Sequence, residues 1–320
     1  VKRIYRTLGL LVVLAVTALF ILYVVRSLRG HDLSVYATPR SALGIVLAAL
    51  IWPIAALPLA LAWRTMLGGV GTKKHWRELY GVMGISQFAK YIPGHVAQYA
   101  GRVGMSLARG IPARALAATL ILETLLMIAA ALAVGVGTGI FSNVGLGLVL
   151  HHGSQLAVVA ALVALAIAGL FVLRRLAPPL LQRLAPKYAP PLDGSLLPPT
   201  IDLVRAFVLY CVMYLMTGAS SIVLAGFLLP SAPQDYWLLV ASLTLAWAVG
   251  FVTPGAPAGF GVREGLLLLM LTPAYTAASA SILIIALRIV TTLGDVFILG
   301  SGLILLPKRD FKPLGANTSP

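Results

Sequence analysis

The chain has 320 residues, 60% hydrophobic and only 10% charged, with a mean hydropathy of +0.97. A soluble globular protein of this length cannot hide so much apolar surface from water, so a soluble domain is excluded and a lipid environment remains. The formal charge of +15 comes from 24 Lys and Arg residues scattered between apolar runs, which excludes a basic nucleic-acid-binding domain, and the single cysteine, Cys211, excludes an intramolecular disulfide.

In hydrocarbon every backbone donor and acceptor must be paired within the protein, so spans are helices or a closed barrel. The apolar stretches are continuous runs such as Leu8 to Val25, without the alternation of barrel strands. An all-α integral membrane protein is therefore expected. The first stretch follows Lys2, Arg3 and Arg6, as in a signal peptide. It is too long for one and no A-x-A site follows, so it is expected to remain as the first helix. About 20 apolar residues cross a bilayer, and six segments qualify: roughly 8–25, 42–63, 112–134, 155–173, 205–229 and 276–304. The last is long enough to tilt or break near Gly294.

Two regions between these spans differ. Residues 76–109 and 236–271 are split by Pro93-Gly94 and Pro254-Gly255, each of which should end one helix and open another. The arms are short, and the first carries Glu78, Gln87 and Lys90. The expected fold is about six transmembrane helices plus two re-entrant helical hairpins. It forms one polytopic domain: an N-terminal helix and exterior loop (1–41), a first half (42–173), a cytoplasmic loop (174–204), a second half (205–306) and a cytoplasmic tail (307–320).

Loop charges orient this arrangement. With both termini in the cytoplasm, the inner loops hold Arg64, Lys73, Lys74 and Arg77, then Arg174, Arg175, Arg183 and Lys187, then Lys308, Arg309 and Lys312. The outer loops near 135–154 and 230–235 hold no Lys or Arg, and only Arg26, Arg29 and Arg40 oppose the rule.

The Pro-Gly regions also align with each other. A shift of 161 positions superposes residues 90–122 on 251–283 without a gap, with eleven of thirty-three identical. Pro93, Gly94, Ala97, Arg102 and Gly104 meet Pro254, Gly255, Ala258, Arg263 and Gly265, and Tyr99 meets Phe260. An odd number of crossings separates the equivalent starting helices, so the expected repeat is inverted. Such repeats place a site at the midplane between halves, an architecture of transporters.

The segments KYIPGHVAQYAGR (Lys90 to Arg102), ILETLL around Glu123, and TPGAPAGFGVREGLLLLML (Thr253 to Leu271) resemble the lysylphosphatidylglycerol synthase transmembrane family. This is the flippase-like domain of the bacterial multiple peptide resistance factor. The resemblance covers nearly the whole chain and implies movement of a lipid between leaflets of the bacterial inner membrane. In the larger protein a separate soluble domain makes the aminoacylated lipid. This chain runs about a dozen residues past its last expected helix, so it is expected to be a stand-alone member without aminoacyl transfer.

Charges within a bilayer cost a few kcal/mol each and need a reason. The spans and arms hold Lys90, Arg102, Glu123, Arg263, Glu264, Arg288 and Asp295. They read either as pairs that lock helices together or as a path for a charged head group. The arm after each Pro-Gly tip would aim its N-terminal amides at the midplane, an anion-binding arrangement. Arg102 and Arg263 sit eight residues further on, towards opposite mouths, where a guanidinium could fork onto phosphate. His95, Gln98 and Tyr99 could add hydrogen bonds, although each also reads as ordinary packing or capping. Glu123 and Arg288, both near mid-span, are expected to pair across the two halves, with Asp295 sharing the arginine.

No H-E-x-x-H, G-x-S-x-G or Walker sequence is present. The expectation is a non-enzymatic flippase for a phosphate-bearing lipid or lipid-linked intermediate, with no cofactor or metal. A separate synthase or glycosyltransferase is its expected partner. The alternatives are a membrane glycosyl- or acyltransferase acting on a lipid carrier, and a non-transporting scaffold for such a synthase. Proton coupling through Glu123, Glu264 or Asp295 stays open.

Overall fold

The computed structural model describes residues 36–91, 96–143, 197–232, 234–253, 259 and 261–307, with Leu22, Val25, Arg26 and Arg29 before them. Among these lie eight α-helices: α1 (Pro39–Gly69), α2 (Trp76–Gln87), α3 (Val96–Ala108), α4 (Ala113–Phe141), α5 (Thr200–Leu228), α6 (Tyr236–Val252), α7 (Val262–Leu271) and α8 (Ala277–Leu305). A 3-10 turn, Phe88–Tyr91, extends α2. The spans expected at 8–25 and 155–173 lie outside the described residues, as do Pro93, Gly94, His95, Pro254 and Gly255.

Helices α1, α4, α5 and α8 are each 29 to 31 residues long, with mean hydropathies from 1.9 to 2.4. At 1.5 Å per residue each reaches about 43 Å, more than the hydrocarbon thickness. Their outer faces are apolar as well. On α1, Leu43, Val46, Leu47, Leu50 and Ile54 are exposed along one stripe, and on α5, Ile201, Val204, Val208, Val212 and Leu215 form another. Water would oppose such stripes and lipid accepts them. The protein is an all-helical, multi-pass membrane protein.

Helix ends follow local chemistry. Thr38 caps α1 by accepting from the Ser41 amide at 3.1 Å, and Pro39 opens the helix, where its missing amide costs nothing. Pro53 and Pro58 lie inside α1 without ending it. Thr276 caps α8 in the same way as Thr38 caps α1, accepting from Ser279.

Of the two expectations for this long segment, a tilt or a break near Gly294, the break is not found: helix α8 runs unbroken through Gly294. This glycine serves contact: a Cβ there would fall 2.5 Å from the Trp52 ring of α1. Gly44 plays the same part between α1 and α5, where a Cβ would lie 2.3 Å from Phe227. Without a hydrophobic drive between helices in lipid, such close backbone approach supplies the attraction.

Two ends of the bundle can be told apart. At one, Lys74 donates to the Arg109 carbonyl, Glu78 lies 3.9 Å from Lys74 and 3.7 Å from Arg109, and Gly69 abuts Pro198 and Asp202. This end therefore gathers the start of α2, the end of α3 and the start of α5. At the other, Asp235 caps α6 and accepts from the Asn143 amide at 2.7 Å, while Arg40 donates to the Gly226 carbonyl. Helix α2 packs on α3, and α6 on α7.

Candidate functional site

All eight helices contribute to the wall of one cavity of about 170 Å³. Lys90, Gln98, Tyr99, Arg102, Glu123, Arg263, Arg288 and Asp295 line it, as do Gln87, Ser86, Thr217 and Thr291. Its aromatic wall comes from α5 and α6. Trp247 stacks on Phe251, ring centroids 5.0 Å apart and planes 9° from parallel, and Tyr214 meets Trp247 edge-on at 5.3 Å. The i, i+4 spacing of Trp247 and Phe251 puts both rings on one face of α6.

Three polar groups of cavity residues have no hydrogen-bond partner among the described residues: Trp52 Nε1, Arg102 Nε and the Tyr214 hydroxyl. Their residues are 8%, 7% and 2% exposed. Each can donate, and a buried donor left unmade costs about 1–3 kcal/mol. Among the described residues, no group of three or more His, Cys, Asp or Glu side chains could hold a metal ion.

Three ion pairs cross between elements at this cavity. Arg102 forks onto Glu123, with Nη1–Oε1 at 2.5 Å and Nη2–Oε2 at 2.6 Å. Its guanidinium also lies 3.9 Å above the centre of the Trp63 ring, and Trp63 Nε1 donates to Thr119 at 3.2 Å. Lys90 reaches Asp295 at 2.7 Å, and the same carboxylate accepts from Gln87 at 3.5 Å. Arg288 meets Glu264 at 3.3 Å, and Glu264 also accepts from the Gly261 amide at 2.7 Å, capping α7. Gly261 holds φ at +82°, a left-handed conformation that suits glycine at this sharp entry.

Residues 6–300 match the lysylphosphatidylglycerol synthase transmembrane region family. The chain belongs to this family. No curated protein matches the chain. The lysylphosphatidylglycerol synthase transmembrane family is associated with lipid flipping and membrane-lipid modification, which suits a cavity lined by both charged and aromatic side chains.

In this family member the expected Glu123–Arg288 pair is replaced. Glu123 turns towards α3 and binds Arg102, while Arg288 turns towards α7 and binds Glu264. Asp295, expected to share Arg288, holds Lys90. Glu123 and Asp295 on the long helices are thus met by an arm and a turn, and Arg288 by the arm that carries Glu264. Arg102 and Arg263, expected near opposite mouths, both line the same cavity. The forked edge of Arg102 is already engaged by Glu123, so a phosphate could fork there only by displacing the carboxylate. Sequence reading passed over Trp52, Trp63, Tyr214, Trp247 and Phe251. The available signal was the pairing of Trp247 with Phe251 at helical spacing, which in isolation reads as core.

Proposed function

We propose that the protein moves a phosphate-bearing amphiphile between the leaflets of a bacterial inner membrane, docking the head group in the cavity and performing no covalent chemistry. One observation carries this reading: Trp52, Arg102 and Tyr214, each with a buried, unpartnered donor, line the same cavity as Lys90, Arg263 and Arg288. Donors and cations together call for an acceptor-rich anion. The aromatic and Met side chains beside them suit the lipid part.

The segments 76–109 and 236–271 act as re-entrant hairpins of an inverted repeat in this reading. In support, α2, α3 and α7 have 12, 13 and 10 residues, too short to cross alone. The start of α2 and the end of α3 also meet at one end of the bundle, through Lys74, Glu78 and Arg109. That end carries Lys73, Lys74, Arg77 and Arg109, which supports a cytoplasmic assignment. A separate synthase or glycosyltransferase would supply the cargo.

Reconstitution into vesicles with a fluorescent anionic phospholipid tests the function. Leaflet exchange, read by quenching with an impermeant reductant, should accelerate with protein. It should fall at least about ten-fold in Lys90→Ala, which removes a cavity cation and breaks the Lys90–Asp295 pair. Exchange no faster than in protein-free vesicles, for anionic and neutral reporters alike, would reject the reading.

A further inference from the structure

The charges and rings of the cavity say more about the cargo than that it is anionic, and the selectivity they imply rests on the proposed lipid-transport function. Lys90, Arg102, Arg263 and Arg288 line the cavity with Glu123 and Asp295, and Glu264 bridges Arg288. Among the described residues, and whatever each cation touches, four cations against three carboxylates leave one formal positive charge. In a low-dielectric site, net charge is costly, so the favoured occupant carries one negative charge. A phosphodiester has one. A phosphomonoester or diphosphate carries more and would leave the site overcharged.

The aromatic wall adds a shape. Trp247 and Phe251 stack on each other, which leaves the outer face of the pair for an occupant, and Tyr214 stands beside them with its hydroxyl buried and unpartnered. Thr217, one turn along α5 from Tyr214, brings a second hydroxyl to the cavity, which donates to the Tyr214 carbonyl at 3.1 Å and can still accept. An acyl chain would gain nothing from those hydroxyls. A cationic head group would meet a site already richer in cations. A saturated polyhydroxylated ring suits both features, because its C–H face packs on the negative face of an indole and its hydroxyls accept and donate at the rim.

We propose that the cavity selects a phosphodiester amphiphile whose head group ends in a polyhydroxylated six-membered ring, a sugar or a cyclitol. The phosphate lies among the cations and the ring against Trp247.

Calorimetric titration of the intact protein in detergent with short-chain lipids tests this. The probes are dioctanoyl phosphatidylinositol, dioctanoyl phosphatidylglycerol, dioctanoyl phosphatidic acid and a short prenyl phosphohexose. A ring-bearing phosphodiester should bind about five-fold tighter than phosphatidylglycerol, the scale of one aromatic contact, and phosphatidic acid should bind no tighter than phosphatidylglycerol. Preference for phosphatidylinositol alone would identify a cyclitol, and for the phosphohexose alone a sugar. Trp247→Leu should bring the ratio of ring-bearing to ringless affinity to about one, while Trp247→Phe, which keeps a ring, should retain most of it. Equal binding of ring-bearing and ringless phosphodiesters, a preference that survives Trp247→Leu, or tightest binding of phosphatidic acid would each overturn this inference and leave the anionic-lipid reading standing. Failure of every anionic probe to bind would overturn both.

Discussion

The ion pairs that tie α3 to α4 and α7 to α8 occupy nearly corresponding places with the charges exchanged. In the first, the arginine sits on the short helix and the glutamate on the long one; in the second the order is reversed. Under the 161-residue shift, Arg102 falls one position from Glu264, and Glu123 one helical turn from Arg288. Their surroundings differ more than their positions. The side chains of Arg102 and Glu123 are 8% and 7% exposed and doubly bonded, with Arg102 stacked on Trp63, whereas the Arg288 side chain is 23% exposed and meets Glu264 at 3.3 Å. The first tether is thus the more buried and the more closely bonded of the two.

Breaking the tethers should expose that difference. Arg102→Ala or Glu123→Ala leaves a buried charge uncompensated and should cost about 3–5 kcal/mol of stability in detergent, read as a large fall in thermal midpoint. The double variant Arg102→Met, Glu123→Leu should lose less than the two single variants together. Additive losses would mean the fork is not coupled. Arg288→Ala should cost less, about 1–2 kcal/mol, because water reaches part of the arginine and Glu264 keeps its bond to Gly261. An equal loss at both tethers would remove the contrast.

Glycines sharpen the picture on a smaller scale. Gly294→Ala drives a methyl into Trp52 and should destabilise by about 1–3 kcal/mol, whereas nothing lies within 4 Å of a Cβ at Gly300 on the same helix. Gly300→Ala should be neutral or stabilise by up to about 1 kcal/mol. Thermal unfolding of the two variants side by side checks whether α8 is held by close contact at Gly294 rather than hinged there.

The ends of the bundle invite a labelling test with no effect on stability. A cysteine at Lys73 should resist an impermeant thiol reagent in intact cells, and one at Ser231 should react. Labelling of the Lys73 site would reverse the orientation.

These contrasts also mark what could be read from the sequence. Hydropathy located α1, α4, α5 and α8 because lipid imposes length and composition on a span. It placed both ends of α8 and the start of α4 to within one residue but cut α1 short, since Thr38 and Pro39 set that start outside the hydrocarbon window. All seven charged positions were legible because a charge in an apolar run is costly enough to stand out. Their pairing was not, because it depends on rotation of each helix about its axis. A turn of about 100° per residue decides whether Glu123 faces α3 or α8. The aromatic wall was hidden for the same reason, as Trp247 and Tyr214 come together only when α6 packs on α5.

The central claim is that a lipid head group enters the cavity itself rather than passing along the outer faces of the helices. Photo-crosslinking with an anionic phospholipid bearing the photoreactive group on its head group, followed by peptide mapping, addresses this directly. The account predicts adducts on peptides containing Met127, Met213 or Trp247, all lining the cavity, that disappear under excess unlabelled anionic lipid. Adducts confined to outward-facing positions such as Leu269, which is 72% exposed, and indifferent to competitor would contradict it.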